Sequence, residues 1–518
     1  MHYFVDGAVN KGRLCARGNC ANTVLDHRER LCRPLLDGHD TTWPEAEALV
    51  RQWLSEVKPQ ELGLVYSRGR TAADTRQLRG LAQELGTPNL ACAHIEPESG
   101  FDYRLEGVTD ASLAAIESAQ VSLLVGDVFN TSPVASWRII EARYADRKNR
   151  LVVIDSIRTR QSGFAHVFIQ VRPGTEPFAL LVLSALIAPK TVLGVDVDRY
   201  ARVAGVERRL LETTAAMLGA KVPGFVGSAM HTGRVSYPAL HSLASQLVAH
   251  VAGKSFNGFR ETRLPAGPKR FSDIRKAMTE GRLKMLFWTG GLFPYSYEEL
   301  LPELAKVEHL VATSIFSPDP PVRGLVLPLT ADLEQASLAS SYWGPVERSP
   351  LAMPLSGTRL FSDVLAWFGR ADEVAEPEPR RFDVDEVVAM ADRAKVTTKA
   401  PAEWLLVGEK KAIGLRGFHD PEEEISVCHA DVGKLDVASG SYLRVKSPSA
   451  TREFRVRVSE AVPAGVLMVG TNVHANRTLF PLVDNSLTGE TTVTPVPVEL
   501  EKAGRTARAA GENPSVWT

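Results

Sequence analysis

The feature that most constrains the fold is the alternation of short apolar runs with longer helical stretches that begins at residue 62. The run 62–66 (Leu-Gly-Leu-Val-Tyr) is typical of a strand buried in a parallel sheet, and 71–85 repeats leucine at helical spacing. A strand at 121–125, a helix at 133–146 and a strand at 151–155 then follow in turn, which predicts a βαβ unit. The same alternation continues into the 320s, so we predict an α/β protein.

A different pattern follows a break in composition at 373–402, a stretch rich in Glu, Pro, Arg and Lys. Such a stretch is typical either of a linker or of a solvated helical connection. Beyond it the runs 442–446, 453–458 and 465–470 alternate or stay short between turns, which predicts a β-barrel. The predicted segments are an N-terminal region at 1–50, α/β domains at 51–372 with a dinucleotide-binding-like unit at about 106–190, the linker at 373–402, the barrel at 403–505 and a disordered tail at 506–518.

Length and charge exclude several classes of protein. A chain of 518 residues is too long for one core, so several domains are expected. A net charge of −1 gives no long-range electrostatic reason to expect nucleic acid as a partner. Five cysteines at irregular spacing do not form a disulfide framework, which indicates a reducing compartment. The longest apolar run, 178–187, is too short to span a membrane, and no targeting signal opens the chain, so we predict a cytoplasmic protein with no direct membrane span.

The chemistry suggested by the N-terminal region centres on Cys15. The stretch 10–19 (Asn-Lys-Gly-Arg-Leu-Cys-Ala-Arg-Gly-Asn) resembles the end of a four-cysteine iron–sulfur motif. None of the fourteen residues before Cys15 is a cysteine, however. Together with 26–36 (Asp-His-Arg-Glu-Arg-Leu-Cys-Arg-Pro-Leu-Leu), it resembles the molybdopterin oxidoreductase superfamily, where a G-x-L-C-x-K-G turn precedes hPeRLxxPL. The resemblance implies that 1–50 is the remnant of a cluster-binding region and that Cys15 is its last metal ligand. A complete [4Fe–4S] cluster is not expected from this chain alone, and Cys15 can equally be a relict in a turn kept for its backbone shape.

Further motifs extend the resemblance from Asn10 to about Lys502. Residues 172–176 read R-P-G-T-E, similar to the family's R-P-G-T-D run, and 430–445 looks like the opening of its dinucleotide-binding barrel. The resemblance implies a molybdopterin-oxidoreductase fold: Rossmann-like α/β domains around a cleft, and a C-terminal six-stranded β-barrel. It implies that contacts to a molybdopterin guanine dinucleotide carrying Mo or W come from the residues at the family's motif positions, which are Arg17, Gly126, Asp155, Gly174, Thr175, Glu176, Asn476 and Asp484. An acidic residue at a strand tip, such as Asp155, is also common in helix capping.

One pair of residues carries the catalytic hypothesis. Cys92 stands in the region where formate dehydrogenases place their metal-ligating cysteine or selenocysteine, and His94 follows two residues later. A thiolate can ligate Mo or W, and an imidazole can accept a proton from the substrate. A cysteine buried behind a strand explains the same residue without a metal.

Several positions depart from the family pattern. Val128 and Phe293 stand where the family has amide side chains, and Ser337 stands where it has glycine. Valine and phenylalanine cannot hydrogen-bond a nucleotide. These departures favour the hypothesis that the chain is a subunit of a multi-subunit redox complex and that its own cofactor cleft is eroded. Such a subunit would act as a scaffold or in the assembly of the electron-transfer complex and would bind no cofactor. The alternative is an active Mo/W-bis-pterin oxidoreductase, formate dehydrogenase-like, that relies on a partner for its iron–sulfur clusters.

Three branches of the superfamily fit the motifs. They are the catalytic subunit of formate dehydrogenases, the large cluster-bearing subunit of respiratory complex I, and the B-type subunit of formylmethanofuran dehydrogenase with its bacterial relatives. The stretch 100–105 (Gly-Phe-Asp-Tyr-Arg-Leu) favours the complex I branch, which has a comparable D-x-R element. The partners implied by the resemblance are iron–sulfur or NAD-linked redox subunits.

Overall fold

The fold follows from a computed structural model of the chain. It describes residues 10–19, 22–25, 27–67, 71–93, 97–259, 267–290, 298–318, 321–341, 344–350, 352–370, 372–375, 378–394, 396, 403–409, 424–471 and 474–503.

The strands of the described residues are, in chain order, β1 Leu35–Leu36, β2 His39–Asp40, β3 Leu62–Tyr66, β4 Asn89–Cys92, β5 Tyr103–Leu105, β6 Thr109–Asp110, β7 Val121–Val125, β8 Arg150–Asp155, β9 Val167–Gln170, β10 Gly224–Ser228, β11 Ser255–Gly258, β12 Met285–Thr289, β13 His309–Ser314, β14 Leu325–Pro328, β15 Ser337–Ser341, β16 Gly344–Arg348, β17 Arg380–Phe382, β18 Leu405–Glu409, β19 Glu424–Cys428, β20 Tyr442–Lys446, β21 Thr451–Ser459, β22 Val466–Gly470, β23 Val483–Asp484, β24 Thr491–Thr492, β25 Val496–Pro497 and β26 Glu499–Lys502.

The α-helices are α1 Ala16–Asn19, α2 Asn22–Leu25, α3 Trp43–Glu56, α4 Ala72–Glu84, α5 Leu113–Glu117, α6 Val128–Thr131, α7 Pro133–Ala145, α8 Glu176–Ile187, α9 Val197–Ala204, α10 Arg208–Leu218, α11 Pro238–Val251, α12 Phe271–Thr279, α13 Leu301–Leu304, α14 Phe361–Leu365, α15 Val384–Arg393, α16 Val432–Leu435 and α17 His474–Arg477.

The first sheet is assembled from two distant parts of the chain. Its order is β2-β1-β14-β13-β12-β3-β4, and the five strands from β14 to β4 run parallel. Strands β3 and β12 are buried along their whole length, as expected for strands covered on both faces. Helix α4 follows β3 and begins with a capping box, in which the Thr71 side chain accepts from the Asp74 amide while the Asp74 carboxylate accepts from the Thr71 amide.

The second sheet is entirely parallel and lies, in sequence, between the two parts of the first. Its order is β6-β11-β10-β7-β8-β9. After β7 the chain adds β8 and β9 on one side and then returns to place β10 on the other, so the strand order reverses between β7 and β10. The apolar run 178–187 is the buried helix α8, which packs against the buried helix α11 over this sheet. In open parallel sheets, ligands bind at the carboxyl edge where the strand order reverses.

The third sheet forms the C-terminal β-domain. Its seven strands follow the order β25-β18-β22-β19-β21-β20-β26 and mix parallel with antiparallel pairs. The inward residues of these strands share one core with Trp288 and Phe271 of the first α/β unit. The predicted combination of α/β units with a C-terminal β-domain is therefore confirmed, with seven strands in the sheet where the sequence predicts six.

The stretch 373–402, interpreted above as a linker or a solvated helical connection, contains strand β17 and helix α15. Strand β17 pairs in parallel with β5, and the buried face of α15, including Val387 and Met390, joins the core over the second sheet. The predicted tail 506–518 lies outside the described residues. Among those that are described, no helix combines the length and apolar character that crossing a membrane requires.

Candidate functional site

The candidate site lies at the carboxyl edge of the second sheet, where the strand order reverses between β7 and β10. Strand β7 ends at Val125 and is followed by Gly126, whose φ of +70° is accessible to glycine at little cost. A Cβ at this position would lie 2.1 Å from the carbonyl oxygen of Ala229, which follows β10. The two loops therefore touch at the reversal. Residue 126 must be glycine because of its positive φ and this close contact, whether or not a ligand binds beside it.

Helix α6 begins directly after this turn. Asp127 caps it by accepting from the Asn130 amide at 3.2 Å, and the Val128 side chain is completely buried in the adjacent core. Val128 thus packs inward rather than towards the sheet edge. Burial raises the pKa of Asp127 to about 6, although the nearby positive charge of Arg234 opposes this effect.

The loop after β10 brings a cation to the end of β8. Arg234 forms an ion pair with Oδ1 of Asp155, and the two residues are 3% and 1% exposed. Burial lowers the pKa of Arg234, but the charges of Asp155 and Asp127 raise it by more, so the guanidinium stays charged. The other oxygen of the Asp155 carboxyl, Oδ2, is buried and has no hydrogen-bond partner among the described residues.

A third carboxyl group faces the same place from the first turn of α8. Glu176 follows Gly174, whose φ is +76° and whose Cβ would collide with Oγ of Ser236. Glu176 is 3% exposed, burial raises its pKa to about 8, and its Oε2 is buried without a partner among the described residues. The Thr175 hydroxyl instead donates to the backbone carbonyl of Arg172, at 2.7 Å. Glu176 is therefore protonated at neutral pH, chiefly because it is buried and also because the negative charge of Asp155 lies nearby.

His231 completes a group that we call the strand-end cluster: Asp127, Asp155, Glu176, His231 and Arg234. Its Nε2 lies 3.3 Å from Oγ1 of Thr131 and 3.2 Å from the carbonyl oxygen of Asp127. Asp155 and Glu176 are identified from the sequence, whereas Asp127, His231 and Arg234 are not. The signal in the sequence for His231 and Arg234 is the polar run His-Thr-Gly-Arg at 231–234, which closely follows the strand 224–228, because loops after parallel strands often carry functional side chains.

A cleft of about 850 Å³ opens beside the strand-end cluster, between the second sheet and the C-terminal β-domain. Its lining includes Cys15, Asp127, Trp137, Arg158 and Glu409. The N-terminal segment is held at this cleft by Arg13, whose guanidinium lies 3.3 Å from the centroid of the Trp137 ring. A cavity of this size is within the range of small-molecule and cofactor sites.

Of the two predicted N-terminal residues, Cys15 lines the cleft. Cys15 is partly buried, and its Sγ accepts from the Gly18 amide at 3.5 Å. Arg17 lies in the short helix α1, and its side chain is outside the described part of the structure.

The β-domain approaches the site through Gly408 of β18. Its amide donates to the Gly233 carbonyl at 3.1 Å, and a Cβ there would collide with the carbonyl oxygen of Thr232. Asn476 is 2% exposed; its Nδ2 donates to the Gly470 carbonyl at 3.1 Å, and its Oδ1 is buried without a partner in the described residues. Asp484 is exposed and accepts from the Thr491 hydroxyl.

Cys92 lies elsewhere, at the end of β4 in the first sheet. It is 5% exposed and packs in the core cluster that contains Tyr66 and Leu90. Burial, reinforced by the negative charges of Asp102 and Glu490, raises the pKa of the Cys92 thiol well above its usual value. His94, its predicted catalytic neighbour, lies outside the described residues.

The donor atoms fit the two kinds of implied cofactor differently. Within the described ranges, no group of three or more His, Cys, Asp or Glu side chains could hold a metal ion. Cys20, the next cysteine after Cys15 in the sequence, lies outside those ranges. A four-thiolate iron–sulfur cluster therefore does not fit the described residues. The edge of the second sheet does fit a ligand rich in hydrogen-bond donors. Buried oxygen atoms that find no partner in the described part of the chain lie there on Asp155, Ser156, Thr159 and Glu176.

Comparison with curated proteins finds relatives that share part of the chain. The alpha subunit of the F420-dependent formate dehydrogenase of Methanocaldococcus jannaschii is 30% identical over 178 residues, covering 32% of this chain and 26% of that protein. One subunit of the sulfite dehydrogenase of Allochromatium vinosum is 25% identical over 228 residues, covering 39% and 23%. The NADH dehydrogenase [ubiquinone] iron–sulfur protein 1 of Solanum tuberosum is 27% identical over 121 residues, covering 22% and 16%. The chain spans about a quarter of the length of the curated relatives it matches.

No protein-family model matches the chain. Among solved structures, acetylene hydratase from Pelobacter acetylenicus superposes with a TM-score of 0.76 over 95% of this chain and 94% of that one, at 12% identity. This likeness establishes the fold over nearly the whole chain.

Proposed function

The homologues of this chain are molybdopterin oxidoreductases, among them formate dehydrogenase, nitrate reductase and sulfite dehydrogenase subunits, and from this premise we propose that the protein is a non-catalytic member of a multi-subunit redox complex. It keeps the fold of the family and its central cleft, and it contributes a scaffold on which redox partners assemble. Electron transfer is carried by iron–sulfur or NAD-linked subunits.

The observation that carries this proposal is the position of Cys92. A cysteine that ligates Mo or W must present a thiolate to an accessible cleft. Cys92 instead packs among Tyr66 and Leu90 in a core cluster and keeps its proton, because burial disfavours the charged form. The residue with the strongest claim to metal ligation thus behaves as a small core hydrophobe.

The strand-end cluster supports the same conclusion. The resemblance implies that Asp155 contacts the pterin nucleotide, but Arg234 already forms an ion pair with one of its oxygens. Val128 packs into the core beneath the turn that would face the cofactor. Two positions expected to contact the cofactor are therefore engaged within the chain itself.

The second candidate is an active Mo/W-bis-pterin oxidoreductase, favoured by the buried oxygens of Asp155, Ser156 and Glu176 that have no partner among the residues described. These atoms would hold the sugar of a pterin nucleotide by accepting from its hydroxyl groups, and Glu176, protonated at neutral pH, could also donate one hydrogen bond. When bound, such a cofactor supplies two-electron redox chemistry at its metal. Arg234 would then have to leave Asp155 before the sugar could enter.

Metal and nucleotide analysis of the native complex decides between the two candidates. The full chain is purified with its partners, Mo and W are measured by mass spectrometry, and guanine nucleotide is measured after acid release. We expect neither metal nor nucleotide in stoichiometric amount. One metal and bound guanine nucleotide per chain would overturn the scaffold proposal.

A cysteine variant provides an independent test. Cys92→Ala is compared with Cys32→Ala, because Cys32 is exposed and serves as the matched control. Redox activity of the assembled complex should be the same for both variants. Loss of activity in Cys92→Ala alone, with assembly intact, would favour the active enzyme.

A further inference from the structure

The strand-end cluster contains more hydrogen-bond acceptors than the described residues use. Three carboxyl groups, those of Asp127, Asp155 and Glu176, surround the single guanidinium of Arg234. Each of these residues is at least nine-tenths buried. Arg234 donates a hydrogen bond to Oδ1 of Asp155, while Oδ2 of Asp155 and Oε2 of Glu176 have no partner among the described residues.

Such an excess is costly unless a ligand supplies the missing donors. A buried polar group left without a hydrogen bond costs about 1–3 kcal/mol. Ser156, directly after Asp155, adds a completely buried hydroxyl without a partner in the described residues. The arrangement is therefore that of a site for a ligand with several donors at the end of β8, in which Arg234 satisfies only one of the acceptors.

The position of these acceptors identifies the class of ligand. A carboxylate at the tip of a parallel strand, beside the reversal of strand order, is the usual partner of the ribose hydroxyl groups of a nucleotide. The close contact between Gly126 and Ala229 marks that reversal here. Arg234 reaches Asp155 from the loop after β10, on the opposite side of the reversal from β8.

We propose that the Arg234 side chain occupies the position at which this sheet edge would bind the ribose of a nucleoside. Its guanidinium donates to Asp155 where the hydroxyl groups of the sugar would donate, so it blocks nucleoside binding at this edge. This inference rests on the proposed function, because it explains how the cleft can dispense with a cofactor. Arg234 is the residue that sets whether the edge accepts a nucleoside. Glu176, protonated at neutral pH, leaves the site less negatively charged than three ionised carboxyl groups would.

The test compares wild-type chain with Arg234→Ala, using adenosine and guanosine as probes in equilibrium dialysis. Wild type should bind neither nucleoside measurably. Arg234→Ala should bind both, with an affinity about 10- to 100-fold above the upper limit that dialysis sets for wild type, which is the gain expected when a hydroxyl donor reaches a freed carboxylate. 2′,3′-Dideoxyadenosine, which lacks the diol, should show no such gain.

The matched control is Arg30→Ala, which also removes a buried, ion-paired guanidinium but lies far along the chain in a different element. Methylguanidinium should raise the melting temperature of both arginine variants, whereas only Arg234→Ala should gain nucleoside binding. If Arg234→Ala does not fold, Arg234→Ser, which removes the guanidinium and leaves only a small hydroxyl, is measured in the same way.

Three results would overturn the inference: nucleoside binding by wild type, no gain in either Arg234 variant, or an equal gain in the Arg30 control. These outcomes are separate from those of the metal analysis. A metal-free complex whose Arg234 variants gain nothing refutes the inference alone. A metal-loaded complex whose Arg234 variants do gain nucleoside binding refutes the proposed function alone.

Discussion

Replacing Arg30 by methionine should destabilise the junction between the N-terminal segment and the first sheet. Arg30 bonds Glu334 through two hydrogen bonds of 2.6 and 2.7 Å, and both side chains are at most 3% exposed. A third bond, at 3.1 Å, joins Arg30 to the Leu25 carbonyl. Removing one partner of a buried pair leaves an uncompensated charge and costs about 3–5 kcal/mol.

Hydrogen exchange measures this cost locally, because a chain of several domains does not unfold in one two-state step. The reporters are the amide of Leu31, bonded to the Ile315 carbonyl, and that of Glu334, bonded to the Ala331 carbonyl. A loss of 3–5 kcal/mol corresponds to exchange faster by roughly two to four orders of magnitude, since each factor of ten is about 1.4 kcal/mol. The melting temperature measured by calorimetry should fall as well.

The double variant Arg30→Met/Glu334→Leu is the control. It removes both charges and replaces them with apolar groups of similar size, so much of the lost protection should return. If Arg30→Met changes exchange less than about tenfold, or if the double variant is as unstable as the single one, the buried charge is not what determines stability here.

Three further predictions follow from buried groups. Burial raises the pKa of Glu176 from 4.5 to about 8, so the folded state keeps a proton that the unfolded chain releases between these pH values. The free energy of unfolding should therefore fall by at most about 5 kcal/mol as the pH rises through this interval. Calorimetry should show that Glu176→Gln abolishes this fall. Gly126→Ala should lower the free energy of unfolding by more than about 2 kcal/mol, because the residue has a positive φ and a carbonyl oxygen lies close to its Cβ position. Gly253→Ala is the control: its φ is +64° but its Cβ would meet open space, so only the backbone strain should be lost. Thermal unfolding measures both changes. Iodoacetamide should modify exposed Cys32 quickly and leave Cys92 unmodified until the protein unfolds, as peptide mass spectrometry would show.

Local patterns in the sequence are sufficient to predict several of the α/β elements. The run 62–66 and the helix ending near Gly86 are where the apolar periodicity predicts them, because burial on both faces leaves a continuous apolar signal. The buried face of α15 is harder to recognise. Charged residues surround Val387 and Met390 in a stretch whose composition is typical of solvated chain.

The strand-end cluster can be predicted only in part. Asp155 and Glu176 each follow a recognisable motif within a few residues, so the sequence indicates them. The partner of Asp155 is Arg234, 79 residues away, and the two meet only because β10 returns to the other side of β7. A contact made by strand order leaves no periodic signal in a single sequence. Whether Cys92 is buried or accessible likewise depends on the packing around β4, which the sequence alone does not fix.

The pairing of β5 with β17 has a consequence for biosynthesis. Leu105 and its partner Phe382 are separated by more than 270 residues, so the core over the second sheet lacks β17 and α15 until late in translation. At about 5–20 residues per second, the ribosome needs on the order of 15 to 55 seconds to cover that distance. During this interval the nascent chain exposes the apolar surface that α15 later covers, including the surroundings of α11. The newborn protein should therefore depend on a chaperone that binds apolar surface until the segment around residue 390 has left the ribosome.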